Sequence, residues 1–272
     1  MAALLKNVAD LLALVPPARV EGIVRAAVFD ADGTLWRGDI GDAGFAAAVS
    51  AGLVEDATVA GPLRVWGARW GLVLDGDNRA ALARIIDAAS TRELEATERK
   101  NGWVEGTWRQ ELYGMQAWIY AGHTITEIEA FGGALFDRGF ADGIFDDMRR
   151  LVDALTQRGV DVWIASASTT ALVVPGAARL GIDRSRVLGM EPHVDDRGLI
   201  HASLKRSTYG NGKALAVREA LGGRPLMAFG DSVLSTDREL LALAHVPVAV
   251  ATKGAHREAA LADARMHLFD PT

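Results

Sequence analysis

From about Gly143 to the C-terminus the chain alternates helical stretches with short apolar segments, and this rhythm is the strongest constraint on its fold. Ile144, Phe145, Met148, Leu151, Val152 and Leu155 recur at helical spacing, and Gly159 ends that helix. A buried strand is predicted over 160–165, a helix over 171–180 stopped by Gly181, and a further strand over 187–190. The segment 194–202, with Asp196-Arg197-Gly198 at its centre, predicts a hairpin. Helix 212–221, strand 225–229, helix 237–244, strand 246–250 and helix 255–264 complete the series. Upstream, 26–30 is another buried strand, bounded by Gly33. Apolar runs separated by helices predict an α/β domain with a doubly wound, mostly parallel, Rossmann-like sheet.

Between 37 and 142 the texture changes. This stretch is rich in Ala, Trp, Glu and Arg, has helical patterns at 79–99 and 108–121, and shows little β-branched alternation. Six of the 7 tryptophans fall between Trp36 and Trp118. It reads as a helical insertion after the first strand of the sheet. At the start of the chain Leu4, Leu5, Val8, Leu11, Leu12 and Val15 predict an amphipathic helix packed on its own domain and ended by Pro16 and Pro17. Asn7 and Asp10 interrupt any signal-type apolar run.

Composition narrows the function classes. A chain of 272 residues accommodates one large domain, or a core carrying a smaller one. Its 29 basic residues against 35 acidic ones give a net charge of −6, which leaves no basic excess for a nucleic acid backbone. The absence of cysteine excludes disulfides, thiolate catalysis and Cys-type zinc sites. No apolar run approaches the ~18 residues of a membrane span. The expectation is a cytoplasmic protein, monomer or homodimer, with neither a nucleic acid nor a membrane as partner. The 6 histidines show no metal-ligand spacing.

Chemistry concentrates in Val28-Phe29-Asp30-Ala31-Asp32-Gly33-Thr34-Leu35. Two carboxylates stand two residues apart just past a buried strand, at the sheet edge where open α/β folds place ligands. In an extended chain they share a face. Converging like charges without a local basic partner require a raised pKa on one acid or a hard cation between them. Three later features also fall at strand ends or helix starts. Ser166 follows the strand 160–165 and opens a helix, where a hydroxyl serves either as a cap or, with nearby amides, as an anion donor. Lys213 begins a helix, a position that opposes the macrodipole unless an anion compensates. Asp231 ends the strand 225–229, and Asp237 follows it.

In this order, Asp30-x-Asp32-Gly33-Thr34, Ser166, Lys213 and Asp231 resemble the motif set of the haloacid dehalogenase (HAD) superfamily of phosphohydrolases. The resemblance covers about 25–40 and 143–270. Within that superfamily the insertion looks like a C1-type cap, and the chain is similar to phosphoserine phosphatases and phosphocholine or phosphoethanolamine phosphatases. The resemblance implies a core of 1–36 and 143–272 and a cap of 37–142. It implies that Asp30 is the nucleophile, forming an aspartyl-phosphate, and that Asp32 is first the acid for the leaving alcohol and then the base for water. It implies Mg²⁺ on the Asp30 carboxylate, the Asp32 carbonyl oxygen and the Asp231 carboxylate. Phosphoryl oxygens would be held by Ser166, Lys213 and backbone amides of the 31–34 turn, Gly33 and Thr34 among them. The expected reaction is Mg²⁺-dependent hydrolysis of a small-molecule phosphomonoester. A phosphotransferase or mutase sharing the intermediate, and a non-catalytic protein of the same fold, are the alternatives. Asp32 argues against a haloalkanoate dehalogenase. The Asp-x-Asp-Gly-Thr turn and the insertion argue against a receiver-type signalling domain.

Two positions depart from the family pattern. A second acid usually follows the last motif's first acid by four or five residues, whereas Asp237 is the sixth after Asp231. Either the loop is longer and Asp237 still supports the metal, or that acid is gone. In phosphoserine phosphatases an acid soon after the nucleophile loop suits the substrate ammonium, a role open here to Asp39 or Asp42. Their cap arginine for the substrate carboxylate aligns with Gln116, leaving Arg109 or Arg64 to substitute. Trp36, three residues after Gly33, is the indole expected to touch a substrate. The other indoles either fill the cap or hold a quaternary ammonium by cation–π attraction.

Overall fold

The computed structural model describes residues 2–272. In chain order the elements are β1 (Ala3–Leu5), α1 (Val8–Ala13), β2 (Ile23–Phe29), α2 (Ile40–Ala48), α3 (Asp56–Arg69), α4 (Asn78–Ser90) and α5 (Glu93–Asn101). Then come α6 (Thr107–Trp118), α7 (Ile125–Gly139), α8 (Asp146–Gln157), β3 (Asp161–Thr169), α9 (Thr170–Ala178), β4 (Val187–Val194) and β5 (Ile200–Arg206). The chain ends with α10 (Asn211–Leu221), β6 (Arg224–Gly230), α11 (Arg238–Leu243), β7 (Val246–Val250), α12 (Gly254–Ala262) and β8 (His267–Phe269).

The strands form one 8-stranded sheet in the order β1-β8-β7-β6-β2-β3-β4-β5. The β4–β5 hairpin is antiparallel, and every other pair is parallel. Strand periodicity explains how both faces become buried. Ala27 and Phe29 of β2, Met227 and Phe229 of β6 and Val248 and Val250 of β7 join one apolar cluster. Val28, Ala228 and Ala249, which alternate with them, join a second cluster on the opposite face. Phe29 and Phe229 stack across neighbouring strands with ring centroids 4.2 Å apart. The fold is therefore the expected doubly wound α/β sheet. Strand order reverses at β2, which lies between β6 and β3, and the crevice at its carboxyl end is the topological switch point.

The helices α2–α7 fall between β2 and β3. Helix α6 packs on β4 and β5, and α7 packs on α9 and α2. One apolar cluster runs from Phe29 through Trp36 and Phe136 to Trp66, Trp70 and Trp108. Trp70 is fully buried and meets Trp103 edge-on at 4.5 Å, so these indoles serve mainly to fill the space between helices.

Several expectations need correction. Residues 3–5 are not helical: they pair with β8 in register Ala3↔His267, and α1 begins only after the Asn7 cap. A strand of 3 residues is too short to show a period of its own, and β8 went unseen for the same reason. The insertion consequently follows the second strand, not the first. The helix predicted over 79–99 breaks at Thr91 and Arg92. The Ser90 and Thr91 hydroxyls both donate to the Asp87 carbonyl, which also takes the last amide of the ladder from Thr91, and Arg92 then leaves the helix at φ 64°. Strand β3 runs on to Thr169, so Ser166 lies within it and does not open a helix.

Candidate active site

The ends of β2 and β6 and the C-terminal half of β3 build the site. Asp30 is the first residue past β2, and its amide donates to the Phe229 carbonyl at 2.8 Å, continuing the β2–β6 ladder by one bond. Ser166 lies beside it on β3, and Asp231 follows the last residue of β6. Asp30, Asp32, Gly33, Gly38, Asp39, Ser166, Ser168 and Asp231 line one cavity of about 190 Å³, with Tyr113 of α6 and Thr236 on its wall.

Beneath the cavity stands Lys213, with no exposed surface. Its Nζ donates to Asp30 Oδ1 at 2.8 Å and to Asp237 Oδ1 at 2.5 Å. The anions that justify a lysine at the start of α10 are therefore the protein's own. Burial pushes the ammonium pKa down, but the two carboxylates outweigh that and raise it above its ordinary value. Asp30 is held well above the carboxylate range, first by burial and next by Asp237, with Lys213 opposing.

Asp237 is fully buried despite its longer spacing. The loop from Ser232 closes on itself: Asp237 donates its amide to the Ser232 carbonyl, and Asp237 Oδ2 accepts from the Ser232 amide at 3.0 Å. A Cβ on Gly230 would stand 2.6 Å from Asp237 Cγ, so only glycine there admits the carboxylate. One oxygen each of Asp30, Asp231 and Asp237 lies within 4.8 Å of the others. Asp231 is raised to about 6 by burial and then by Asp237. Three carboxylates around one ammonium leave unbalanced negative charge, and an all-oxygen set of this kind suits a hard divalent cation.

Asp32 is gripped differently. Its Oδ1 accepts from Trp36 Nε1 and from the Ile40 amide, each at 2.8 Å, and its Oδ2 accepts from Ser168 Oγ at 2.7 Å. Burial nonetheless pushes its pKa up against these three donors. This overturns the expected role of Trp36: the indole is fully buried, meets Phe136 edge-on, and orients Asp32 from below where no substrate reaches. The turn folds back, Gly33 donating to the Trp36 carbonyl, and that reversal carries the ring inward.

The remaining expectations divide. Gly33 lines the cavity at φ 75°, and a Cβ there would stand 2.7 Å from Asp231 Oδ2. Its amide is already bonded to Trp36, and that of Thr34 to the Ala31 carbonyl, so the turn itself uses both. Thr34 is fully buried, with its hydroxyl 3.4 Å from Asp30 Oδ2, and it supports Asp30 without facing the cavity. Asp39 reaches the cavity and caps α2, its pKa raised to about 7 by burial and then by Asp32 and Asp42. Gln116 is buried one step away, its Nε2 donating to Asp42 Oδ1 at 2.9 Å. Arg109 is committed to Glu95, and Arg64 to the carbonyls of Ala60 and Gly76. Sequence reasoning passed over Ser168 and Tyr113. Ser168 had a signal, because it is two residues after Ser166 on a strand and so shares its face. Tyr113, on a distant helix, had none.

A family model described as haloacid dehalogenase-like hydrolase matches residues 27–242. Phosphoserine phosphatase SerB1 of Mycobacterium tuberculosis is 30% identical over 134 residues, a match spanning 47% of this chain and 42% of that relative, less than half its length. Among solved structures, a protein of unknown function from Bordetella pertussis Tohama I superposes with TM-score 0.64 at 19% identity, covering 91% of this chain and 99% of that one. A HAD family hydrolase from Salmonella enterica serovar Typhi gives TM-score 0.53 at 13% identity, covering 92% of this chain and 69% of that one. The two structures speak for the fold. The family match spans most of the chain, including every strand end that bears a site residue, and on that ground the protein belongs to the haloacid dehalogenase-like hydrolase family.

Proposed function

We propose that this protein is a Mg²⁺-dependent phosphomonoesterase acting on a small phosphorylated metabolite through an aspartyl-phosphate on Asp30. The observation carrying this reading is that Asp30 and Asp32 open on one cavity while Lys213 touches Asp30 from beneath. The Asp30 carboxylate attacks phosphorus, and the ester P–O bond breaks as the new one forms. Asp32, whose buried carboxyl is shifted toward the protonated form, gives its proton to the departing alkoxide. It then takes a proton from the water that attacks phosphorus, Asp30 is released, and inorganic phosphate leaves. Ser166 offers a hydroxyl to the phosphoryl oxygens, and Lys213 keeps the Asp30 charge compensated while the anion approaches. A Mg²⁺ held by Asp30 and Asp231, with the Asp32 carbonyl and Asp237 in support, supplies the positive charge that a phosphate dianion needs beside a carboxylate. In this reading residues 37–142 form a cap over a core of 1–36 and 143–272, with Tyr113 its contribution to the cavity wall.

Incubation with a panel of phosphomonoesters tests the reading. Phosphate release is expected with Mg²⁺, stoichiometric with free alcohol, and is expected to stop with chelator and return when Mg²⁺ is restored. Release that persists in chelator would remove the metal from the mechanism, and transfer of phosphate to an added alcohol in place of water would make the protein a phosphotransferase. No helix among the described residues is long and apolar enough to cross a membrane, which fits a dissolved substrate.

Ser168 acts in this scheme as a positioning residue. Ser168→Ala removes the donor to Asp32 Oδ2 and leaves the two on Oδ1. Because that bond favours the ionised carboxyl, its loss moves the Asp32 pKa further up. A fall of about tenfold in kcat with little change in KM is expected, and the kcat–pH profile should shift to higher pH. An unmoved profile would show that the hydroxyl does not act through Asp32.

A further inference from the structure

A second cavity, of about 460 Å³, lies between α2, α4 and α6. Phe45, Ile86, Trp108 and Leu112 make most of its lining apolar, and Ile86 is 44% exposed at its mouth. Tyr113 lines both this cavity and the one containing Asp30, so a single side chain borders the two spaces. On the wall of the apolar cavity Gln116 donates Nε2 to Asp42, and its amide is thereby held by an acid and not free to bind a carboxylate. Basic groups are scarce between Asp30 and the apolar cavity, Arg37 and Lys253 lying on the other side of Gly33 and Asp231. Among the described residues, no lysine or arginine lines the Asp30 cavity, and Arg109, the one basic residue on the apolar cavity, is paired with Glu95 at 2.7 Å and lies over the Trp108 ring. A substrate carboxylate would find no free cation along this path, and Asp39 and Asp42 would repel it.

We propose that the apolar cavity is the leaving-group subsite, and that the protein acts on phosphomonoesters of alcohols carrying an apolar chain or ring in preference to phosphorylated amino acids. The proposal rests on the phosphatase reading above. The phosphoryl group sits against Asp30, and the alcohol carbon chain passes Tyr113. The apolar remainder displaces water from Phe45, Ile86 and Leu112. Each methylene so buried is worth about fourfold in kcat/KM. The cavity is large enough to hold an organic group of useful size.

The test compares ethyl phosphate, hexyl phosphate and O-phosphoserine as substrates of the full chain with Mg²⁺. Hexyl phosphate is expected to exceed ethyl phosphate by at least about tenfold in kcat/KM, with O-phosphoserine the poorest. Two substitutions at exposed cavity positions then address the subsite directly. Ala46→Trp fills the space and Ile86→Glu charges it, and each is expected to reduce the hexyl-to-ethyl ratio to within about twofold of unity. Equal rates for hexyl and ethyl phosphate in the unaltered protein, or a ratio that survives both substitutions, would overturn the subsite while leaving the phosphatase reading intact. A preference for O-phosphoserine would overturn it as well. Ethyl phosphate does not extend past Tyr113, so failure to hydrolyse any of the three would instead count against the phosphatase reading on which the subsite depends.

Discussion

Asp30→Asn is expected to reduce turnover by at least about 10⁴-fold, the scale on which loss of a nucleophile usually registers, while the fold is retained. The amide keeps the size and shape of the carboxyl, and its oxygen can still accept from Lys213, which remains paired with Asp237. It cannot form the covalent ester. The accompanying stability change should be opposite in character. Asp30 has a folded-state pKa raised above its ordinary value, so its contribution to stability is fully present at low pH and is lost as pH rises through the folded pKa. In metal-free protein the Asp30 contribution should therefore shrink on going from about pH 4 to pH 8, and the asparagine variant should gain stability relative to its parent over the same range. Thermal unfolding at both pH values, run with chelator, measures this beside the activity assay. Retained turnover in the variant would take Asp30 out of the chemistry. A variant less stable than its parent at pH 8 would mean that the ion pair with Lys213 outweighs the burial of the charge.

How much of this site was legible beforehand depended on whether position along a strand was enough to place a group. Asp30, Ser166 and Asp231 were readable because buried strands carry their own signal, and the carboxyl ends of parallel strands meet by construction. Lys213 was readable as an oddity, a cation at a helix start, but not as a fully buried one. Trp36 was misread because a chain reversal of a few residues decides whether a ring points at the cavity or beneath it. That reversal rests on bonds between Gly33, Ala31 and Trp36 that leave no periodic trace. Asp237 was an open question of spacing, and a loop that folds back on Ser232 and the bare Cα of Gly230 bring its carboxylate beside those of Asp30 and Asp231. The helices between β2 and β3 were evident as a class, yet which of them supplied a wall to the cavity was not, because Tyr113 reaches it through packing of α6 on β4 and β5. Tertiary arrangement of amphipathic helices is set by side-chain interlock, and one sequence exposes only the faces involved.

The larger stability effect is expected from Lys213→Met. Methionine preserves most of the stem volume, so little cavity cost arises, and the variant isolates the charge. Its removal leaves Asp30 and Asp237 facing each other with no cation between them, in a region where neither side chain is appreciably exposed. Breaking a buried pair by deleting one partner costs about 3–5 kcal/mol, which for a chain of this size lowers Tm by roughly 10 °C. The sign with pH follows from the remaining acid. Without the ammonium, which lowers the Asp30 pKa in the intact protein, that pKa climbs further, so the penalty should be largest at pH 8 and shrink toward pH 5 as Asp30 takes up a proton. Combining Lys213→Met with Asp30→Asn removes one of the stranded charges, and the double variant should recover a substantial part of the loss, a non-additivity expected of groups in direct contact. Calorimetry on the four proteins of that cycle, with chelator present, decides the matter. A penalty below about 1 kcal/mol at pH 8, or strict additivity in the cycle, would mean that the ammonium is not what permits two acids to be buried under the cavity floor, and the electrostatic basis assigned to the site would have to be sought in other groups.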